Sequence, residues 1–294
     1  MSELPPLPFP EWEATKDTLH LWAQIVGKVK LASSPPKNHW WHVPLYLDVR
    51  GLTTRLLHSP DGTGFEIRFD FVDHRLAVET AAGTQAFDLV DGLSVAEFDA
   101  KLHEALGPLD VAILEKPFGV PMTTPFPEDR EHAAYDRDAV ERFWRALDWS
   151  AGVLEEFAGW FCGKQSPVHL FWHSFDLALT RFSGRAAPPL PDADPVTQEA
   201  YAAEVVSFGF WAGDQKVREP AYYSYTAPEP EGLYDRPLAS GATWGEGMAL
   251  LPYEAVRTSP DPRAALLAFL QSAYEAGAGA AGWDTASLDS SWCP

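Results

Sequence analysis

Cysteine is scarce in this sequence: Cys162 and Cys293 are the two cysteines in a chain of 294 residues. Two cysteines exclude a multi-disulfide framework and a zinc site built from cysteine ligands. Cys162 follows two aromatic residues and is predicted to be a small core residue. Cys293 lies beside the end of the sequence, where fraying is expected.

Long apolar runs are also missing. No stretch reaches about 18 apolar residues, the length that a membrane-spanning helix needs. The opening residues, Met1–Pro6, lack both the basic stretch and the apolar run of a signal peptide. A cytoplasmic protein without a membrane partner is therefore expected.

Basic residues are few, since 22 Lys and Arg stand against 42 Asp and Glu, and the net charge is −20. Such a chain repels the phosphates of nucleic acids and of anionic membrane surfaces, so neither is expected as a partner. The acidic residues are spread along the chain, which is typical of a solvated surface. A homo-oligomer stays open, because the tyrosine-rich run 222–225 could form a dimer contact or lead into a lid.

Several familiar catalytic motifs are absent as well. The sequence contains no G-x-S-x-G, no H-E-x-x-H and no Walker-type phosphate loop. Gly277, Gly279 and Gly282 have the spacing of a dinucleotide-binding loop. They follow a predicted helix rather than a strand, and too little chain remains after them, so we reject that interpretation.

Aromatic residues, in contrast, are abundant. They make up 13% of the chain and include 12 Trp, within a globular composition of 46% hydrophobic and 22% charged residues. Tryptophan buries large areas and also lines pockets. The sequence therefore predicts a large aromatic core, a surface on which a ligand stacks, or both.

Hydrophobic periodicity predicts an α+β fold, with an antiparallel sheet and helices packed on one face. Gly27 is predicted to stop the first helix, Ser94 and Glu97 form a capping box, and Asp138 is the expected cap of the third helix. The predicted helices cover residues 15–26, 94–106, 138–162 and 262–274. The predicted strands cover residues 40–49, 65–72, 75–79, 85–89, 167–182, 204–211, 222–226 and 248–252.

The order helix, strands, helix occurs twice, which indicates an internal duplication with the halves packed about a pseudo-twofold axis. The pairs that match across the halves, with small gaps, are Gly27-Lys28 and Gly163-Lys164, Ser34-Pro35 and Ser166-Pro167, Trp41-His42 and Trp172-His173, and Arg50 and Arg181. One compact unit is expected. Its predicted parts are an extended N-terminal segment (1–14), a first half (15–115), a connector (116–137), a second half (138–282) and a tail (283–294).

Three segments carry a resemblance to a known family. They are NHWWHVPLY at residues 38–46, SPVHLFWHSFDL at 166–177 with its continuation TRFSGR at 180–185, and LPYEAVR at 251–257. These segments resemble the signatures of a family of bacterial proteins of about this length that is catalogued as a domain of unknown function. The resemblance covers nearly the whole chain. It implies a single full-length unit and carries over no catalytic residues.

Four of the nine histidines lie in these segments: His39, His42, His169 and His173. On one strand, a rise of about 3.3 Å per residue would place His169 and His173 roughly 13 Å apart, too far to share a metal ion. A zinc or iron site would need His42 and His173 to meet across strands. Its third ligand would come from Asp70, Asp73, His74 or Glu254. Alternatively, the histidines are partly buried and hydrogen-bonded.

A regular strand over 167–182 would also group side chains on one face. That face would carry His169, Phe171, His173, Phe175 and Arg181, and the first half offers His42, Tyr46 and Arg50. With Trp41 and Trp172 beside them and Arg185 at the mouth, these residues would line a pocket for a small acidic or aromatic molecule. The alternative for each arginine is a structural ion pair.

Asp176 interrupts an apolar strand pattern, where a buried carboxylate needs a partner. It is expected to orient a histidine, to pair with Arg181 or Arg185, or to act as an acid or base.

Three functions remain open from the sequence. The first is an enzyme acting on a small acidic or aromatic molecule, with His42, His173 and Asp176 as the catalytic candidates. The second is a non-catalytic protein that binds a small molecule or cofactor in the same pocket. The third is a structural or interaction protein whose tryptophans build only core. The candidate binding residues are Trp41, Tyr46, Arg50, His169, Phe171, Trp172, Arg181 and Arg185.

Overall fold

The computed structural model describes residues 4–245 and 247–289, so Cys293 lies outside the described part. The α-helices are α1 (Phe9–Ser33), α2 (Val95–Leu106), α3 (Arg137–Ala158), α4 (Pro195–Ala200), α5 (Tyr253–Arg257), α6 (Pro262–Ala280) and α7 (Thr285–Leu288). The strands are β1 (Tyr46–Leu47), β2 (Gly51–Thr53), β3 (Leu57–His58), β4 (Gly64–Asp70), β5 (Arg75–Thr80), β6 (Gly83–Asp88), β7 (His169–Phe171), β8 (Asp176–Ala186), β9 (Ala203–Trp211), β10 (Ala221–Ala227), β11 (Thr243–Gly245) and β12 (Met248–Pro252).

Within the described residues these strands form two antiparallel sheets of six strands each, so the α+β prediction is confirmed. The first sheet has the order β1-β2-β4-β5-β6, with β3 also paired to β4. The second has the order β11-β12-β10-β9-β8-β7. Residues 45 and 170 exchange two backbone hydrogen bonds of 2.8 Å, which join the edge of the first sheet to the edge of the second.

The first sheet has one apolar face and one charged face because its longest strand alternates. Phe65, Ile67 and Phe69 of β4 are buried, and their neighbours Glu66 and Arg68 are half-buried and charged. The apolar face packs on α1 and α2, where the rings of Trp22, Phe69 and Phe98 stack. The outer face carries ion pairs from Arg68 to Asp48, Glu66 and Glu79.

The second sheet is covered on one face by α3 and α6. Phe208 of β9 packs edge-on against Phe157 of α3, and Ser150 of the same helix is hydrogen-bonded to Tyr222 of β10 at 2.9 Å. Gly277 of α6 lies so close to the sheet that an added Cβ would stand 2.2 Å from the Thr226 hydroxyl. The opposite face of this sheet carries the alternate residues and is the basis of the candidate site.

The first helix is longer than the sequence predicts. It begins at Phe9, with proline in its first turn, where a missing N–H is tolerated, and it continues through Gly27 to Ser33. Gly27 therefore does not stop the helix. It provides room instead, since an added Cβ would stand 2.2 Å from Cγ of Trp172. Residue 28, expected just beyond the helix, consequently lies inside it.

Two predicted strands are also wrong. Residues 38–40 form a 3₁₀ turn in which His39 and Trp40 have φ values of 55° and 58°, so the strand predicted from residue 40 shrinks to β1. Residues 167–182 form a hairpin rather than one strand, with a turn at 172–175 between β7 and β8. Trp172 and Phe175 are buried at this turn, and their burial outweighs the extended conformation that the local sequence favours.

The sequence predicts N-terminal caps for α2 and α3, and one of the two is correct. Ser94 and Glu97 form the predicted capping box of α2. The cap of α3 is Asp136, which accepts hydrogen bonds from the N–H groups of Asp138 and Ala139, so the predicted cap at Asp138 is wrong by two residues. At its other end α3 stops at Ala158 rather than at residue 162, and Cys162 is exposed, so its predicted place in the core is wrong. No described helix is long and apolar enough to cross a membrane. The relation of the two halves by a pseudo-twofold axis stays a prediction.

Candidate functional site

The face of the second sheet that points away from α3 and α6 forms the floor of a large cleft. Because side chains alternate along a strand, every second residue of the central strands faces it. These residues are Asp176, Ala178, Thr180 and Phe182 of β8, Val205, Ser207 and Trp211 of β9, and Tyr223 and Tyr225 of β10. Gly209 lies between Ala178 and Tyr223 in register, so the middle of the floor is built from small side chains with aromatic rings around it.

The walls of the cleft come from several other segments. They include α1, the turn at residues 38–43, the connector segment at 118–122, the turn that follows β7, the segment 194–201 around α4 and residues 214–216. The volume of the cleft is about 940 Å³. That is near the upper end of the range of about 300–1,000 Å³ found for small-molecule sites.

A pair of hydrogen bonds fixes the connector as one wall. The fully buried Gln24 of α1 donates from Nε2 to the Phe118 carbonyl at 2.8 Å, and its Oε1 accepts from the Phe118 N–H at 2.8 Å. The side-chain amide thus makes with the Phe118 backbone the two hydrogen bonds that a neighbouring strand would make in a sheet. The connector is held on α1 although its prolines prevent regular secondary structure.

A polar cluster lies at one end of the floor. Asp176 accepts hydrogen bonds from the hydroxyls of Ser174 and Tyr223, and it interacts electrostatically with the ring of His173. Burial raises the pKa of Tyr223 well above its usual value, so the phenol keeps its proton and acts as the donor. Burial lowers the pKa of His173, and the charge of Asp176 opposes that shift. The imidazole is therefore neutral at neutral pH, next to a carboxylate and at the cleft surface.

His20 of α1 faces the same end of the cleft. Its Nε2 lies 3.2 Å from the His173 carbonyl, and its Nδ1 is buried without a hydrogen-bond partner among the described residues. The ring stacks on Phe175, with centroids 5.0 Å apart. Burial, together with the charge of Lys16, lowers the pKa of His20 to about 3, so this ring is also neutral at neutral pH.

The other end of the cleft is aromatic and hydroxylic. Trp41 packs edge-on against Phe182 with centroids 5.7 Å apart. Tyr201 donates to the Tyr225 hydroxyl at 3.2 Å. Thr180 and Ser207 are hydrogen-bonded at 2.9 Å on the floor between the two ends. This end offers ring faces and neutral hydroxyl groups to a bound molecule.

Comparison with known proteins gives a family for this chain. Residues 4–290 match the family described as "Family of unknown function (DUF5996)". The chain belongs to this family. The match spans nearly the whole chain, as the resemblance implies. No curated protein and no solved structure matches the chain. The assignment of the site therefore rests on its geometry.

Five of the sequence-predicted site residues line the cleft. They are Trp41, Phe171, Trp172, His173 and Asp176. They come together because the turn at 172–175 directs His173 and Asp176 toward the cleft, while Trp172 is held under α1 by a hydrogen bond of 3.0 Å from its Nε1 to the Val43 carbonyl. A straight strand would not produce this arrangement.

The three predicted arginines lie outside the cleft. Arg181 is 1% exposed on the helix side of the second sheet, where its guanidinium stacks on Phe157 at 3.6 Å. Arg50 pairs with Asp70 and Asp73 at the surface of the first sheet. Arg185 pairs with Glu204 and donates to the carbonyls of residues 281 and 282. Arg50 and Arg185 thus have the structural ion pairs that the sequence left as the alternative, and Arg181 is buried against an aromatic ring.

His42, Tyr46 and His169 also lie outside the residues that line the cleft. The Nδ1 of His42 accepts from the Lys37 N–H at 3.2 Å. Tyr46 lies under Arg55, whose guanidinium is 3.5 Å from the ring centroid. His169 is fully buried against Tyr46 and Phe171, and neither ring nitrogen has a hydrogen-bond partner in the described structure.

The metal hypothesis needs three ligands around one point. In residues 4–245 and 247–289 no group of three or more His, Cys, Asp or Glu side chains is placed to hold an ion. Among the two candidate ligands, His173 lines the cleft and His42 does not. The described residues therefore do not bring His42 and His173 together with a third ligand for zinc or iron.

Sequence reasoning missed Lys28, His20 and Tyr223 as residues of the cleft. Lys28 was missed because Gly27 was interpreted as a helix stop, which placed the lysine just beyond the helix. His20 lies at helical spacing among apolar residues and looks like any core histidine. Tyr223 alternates with Tyr222 and Ser224 on β10, and this alternation is the signal that could have placed it on the opposite face.

Proposed function

We propose that this protein binds a small, largely aromatic organic molecule in the cleft. The observation that carries the proposal is the cleft beside the second sheet. One face of this sheet is closed by α3 and α6, whereas the other borders about 940 Å³ of space between the sheet and the segments that wall the cleft. A protein whose tryptophans served only as core would bring a helix or a second sheet onto this face, because apolar surface gains free energy when it leaves water.

The chemistry of the lining supports the same proposal. Aromatic rings and small side chains make up most of the floor, and Asp176 and His173 lie together at one end of the cleft. An apolar cavity with a few converging polar groups is the usual form of a small-molecule site. The polar end would orient the molecule, and the aromatic end would provide most of the contact area.

Catalysis is the second candidate function, and the state of His173 favours it. A neutral imidazole at a cleft surface, beside a carboxylate, can accept a proton from a bound molecule and be stabilised as the cation that forms. In this interpretation Asp176 is a positioning residue, because its oxygens are already engaged by Ser174 and Tyr223.

Binding is tested with N-phenyl-1-naphthylamine, a neutral aromatic probe that fluoresces in apolar surroundings. The wild-type protein should bind it saturably. The variant Thr180→Trp, which fills the cleft floor, should lose at least tenfold in affinity. Thr84→Trp makes the same change at an exposed position of β6 and should bind like wild type. Equal affinities in wild type and Thr180→Trp would falsify the proposal.

Catalysis is tested separately by incubating wild type and His173→Gln with a cell metabolite extract and comparing the products by mass spectrometry. Catalysis predicts that wild type changes particular components and that His173→Gln leaves them unchanged while still binding the neutral probe. If wild type changes none, the protein is a binder without turnover. If both proteins change the same components, His173 is not the base.

A further inference from the structure

Lys28 of α1 lies in the wall of the cleft, and its side chain is largely buried. It is 8% exposed, and its Nζ stands 5.8 Å from the centroid of the Trp172 ring, which also lines the cleft. Its burial follows from the length of α1, which continues past Gly27 and so places the next side chain against the second half of the protein.

Lys28 has no anionic partner in the described part of the chain. No Asp or Glu carboxylate among these residues lies within ion-pair distance of its Nζ, and its contact is with a ring face. The four carboxylates of the cleft are engaged elsewhere. Asp17 pairs with Lys16, Asp176 accepts from two hydroxyls, Asp194 caps α4, and Asp214 accepts from two backbone N–H groups.

An ammonium group that partly leaves water without a counter-ion is destabilised, and burial accordingly lowers the pKa of Lys28. A cation–π contact offsets part of this effect. An anion placed beside Nζ would offset more, because a charge-assisted hydrogen bond is about twice as strong as a neutral one. Trp172 offers a flat apolar surface next to this point, and Trp40 and Trp41 line the same cleft.

We infer that the molecule bound in the cleft is an aromatic acid, whose rings lie against the tryptophans and whose anionic group pairs with Lys28. The inference rests on the proposed binding function. It assigns to Lys28 the recognition of an acidic group that the sequence alone assigns to arginines. The net charge of −20 disfavours polyanionic molecules, so the class is an aromatic compound with a single acidic group.

Two fluorescent probes test the inference, since 8-anilinonaphthalene-1-sulfonate is N-phenyl-1-naphthylamine with one added sulfonate. Lys28→Met removes the charge and keeps the length of the side chain. It should weaken binding of the sulfonate probe about tenfold, the effect of one hydrogen bond to a charged group. It should leave the affinity for the neutral probe within about twofold of wild type. Lys28→Arg keeps the charge and should retain most of the affinity for the anion.

Lys101→Met is the matched control. Lys101 also stands over a ring, with its Nζ 5.9 Å from the Phe87 centroid, but it lies on α2 outside the cleft. It should bind both probes like wild type. Equal affinity of wild type and Lys28→Met for the sulfonate probe overturns the inference. If wild type binds neither probe, the proposed function itself fails, so the two failures are distinguishable.

Discussion

The packing of Trp172 on Gly27 leads to a prediction in which two effects have opposite signs. Replacing glycine by alanine inside a helix normally stabilises it by about 1 kcal/mol, because alanine has the higher helix propensity. At Gly27, however, the added Cβ would stand 2.2 Å from Cγ and 2.4 Å from Cδ1 and Cδ2 of Trp172. Either the helix or the indole must then move.

The indole has little freedom to move. It is 4% exposed, and its Nε1 donates to the Val43 carbonyl at 3.0 Å, which ties it to the turn before β1. Overpacking of a close-packed interior costs about 1–3 kcal/mol, and loss of the hydrogen bond costs about 1 kcal/mol more. We therefore expect Gly27→Ala to lower the free energy of unfolding by about 1–3 kcal/mol after the helix-propensity gain is subtracted.

Gly152→Ala is the matched control for this prediction. Gly152 lies inside α3, and an added Cβ there would meet nothing within 4 Å, so helix propensity alone decides the sign. The control should gain about 0.5–1 kcal/mol. Urea unfolding followed by tryptophan fluorescence and by far-ultraviolet circular dichroism gives both values. A Gly27→Ala protein as stable as wild type, or more stable, would refute the packing argument.

Three further predictions concern buried polar groups. Gln24→Leu removes both hydrogen bonds to Phe118 and should cost about 2 kcal/mol; proteinase K should then cut the connector faster, and an unchanged cleavage rate would contradict this role. Arg181→Met should destabilise the protein by about 1–3 kcal/mol, because it removes a buried donor to the Phe157 carbonyl; a reduced affinity for N-phenyl-1-naphthylamine would show that Arg181 belongs to the cleft after all. Burial lowers the pKa of His169 from 6.5 to about 3. Below pH 6.5 the unfolded chain therefore takes up a proton that the folded protein does not, so the free energy of unfolding falls as the pH decreases. Between pH 7 and pH 5, the free energy of unfolding of the wild type, measured in urea, should fall by about 2 kcal/mol more than that of His169→Phe. The control His58→Gln, at an exposed position, should show the same fall as wild type. Equal falls in wild type and His169→Phe would be the contrary result.

The strands of the first sheet show how far local sequence information reaches. β4, β5 and β6 agree with their predictions within a few residues, since short turns join them and β4 alternates apolar and polar residues. Three of the strands of two or three residues, β2, β3 and β11, had no predicted counterpart. Such strands are too short to carry a periodic signal and form because a neighbouring strand offers hydrogen-bonding groups.

The candidate site could be predicted only in part. The sequence singled out five residues of the cleft because they are polar or aromatic residues within apolar segments: Trp41, Phe171, Trp172, His173 and Asp176. Their neighbours in the cleft could not be found in this way. Lys28 and His20 look like ordinary helix residues, and their place depends on which face of α1 meets the second half of the protein.

The sequence by itself determined the α+β class, the capped helix α2, the long amphipathic helix α3 and most strands of the two sheets. These features depend on the period of the side chains and on capping residues close in sequence, which act within a few residues. Tertiary structure alone decided that Gly27 makes room for Trp172, that residues 172–175 turn, that the arginines lie away from the cleft, and that Lys28 faces it without a carboxylate partner in the described structure. Each of these outcomes depends on the free energy of burying large side chains between segments distant in sequence, and local patterns carry no information about which segments those are.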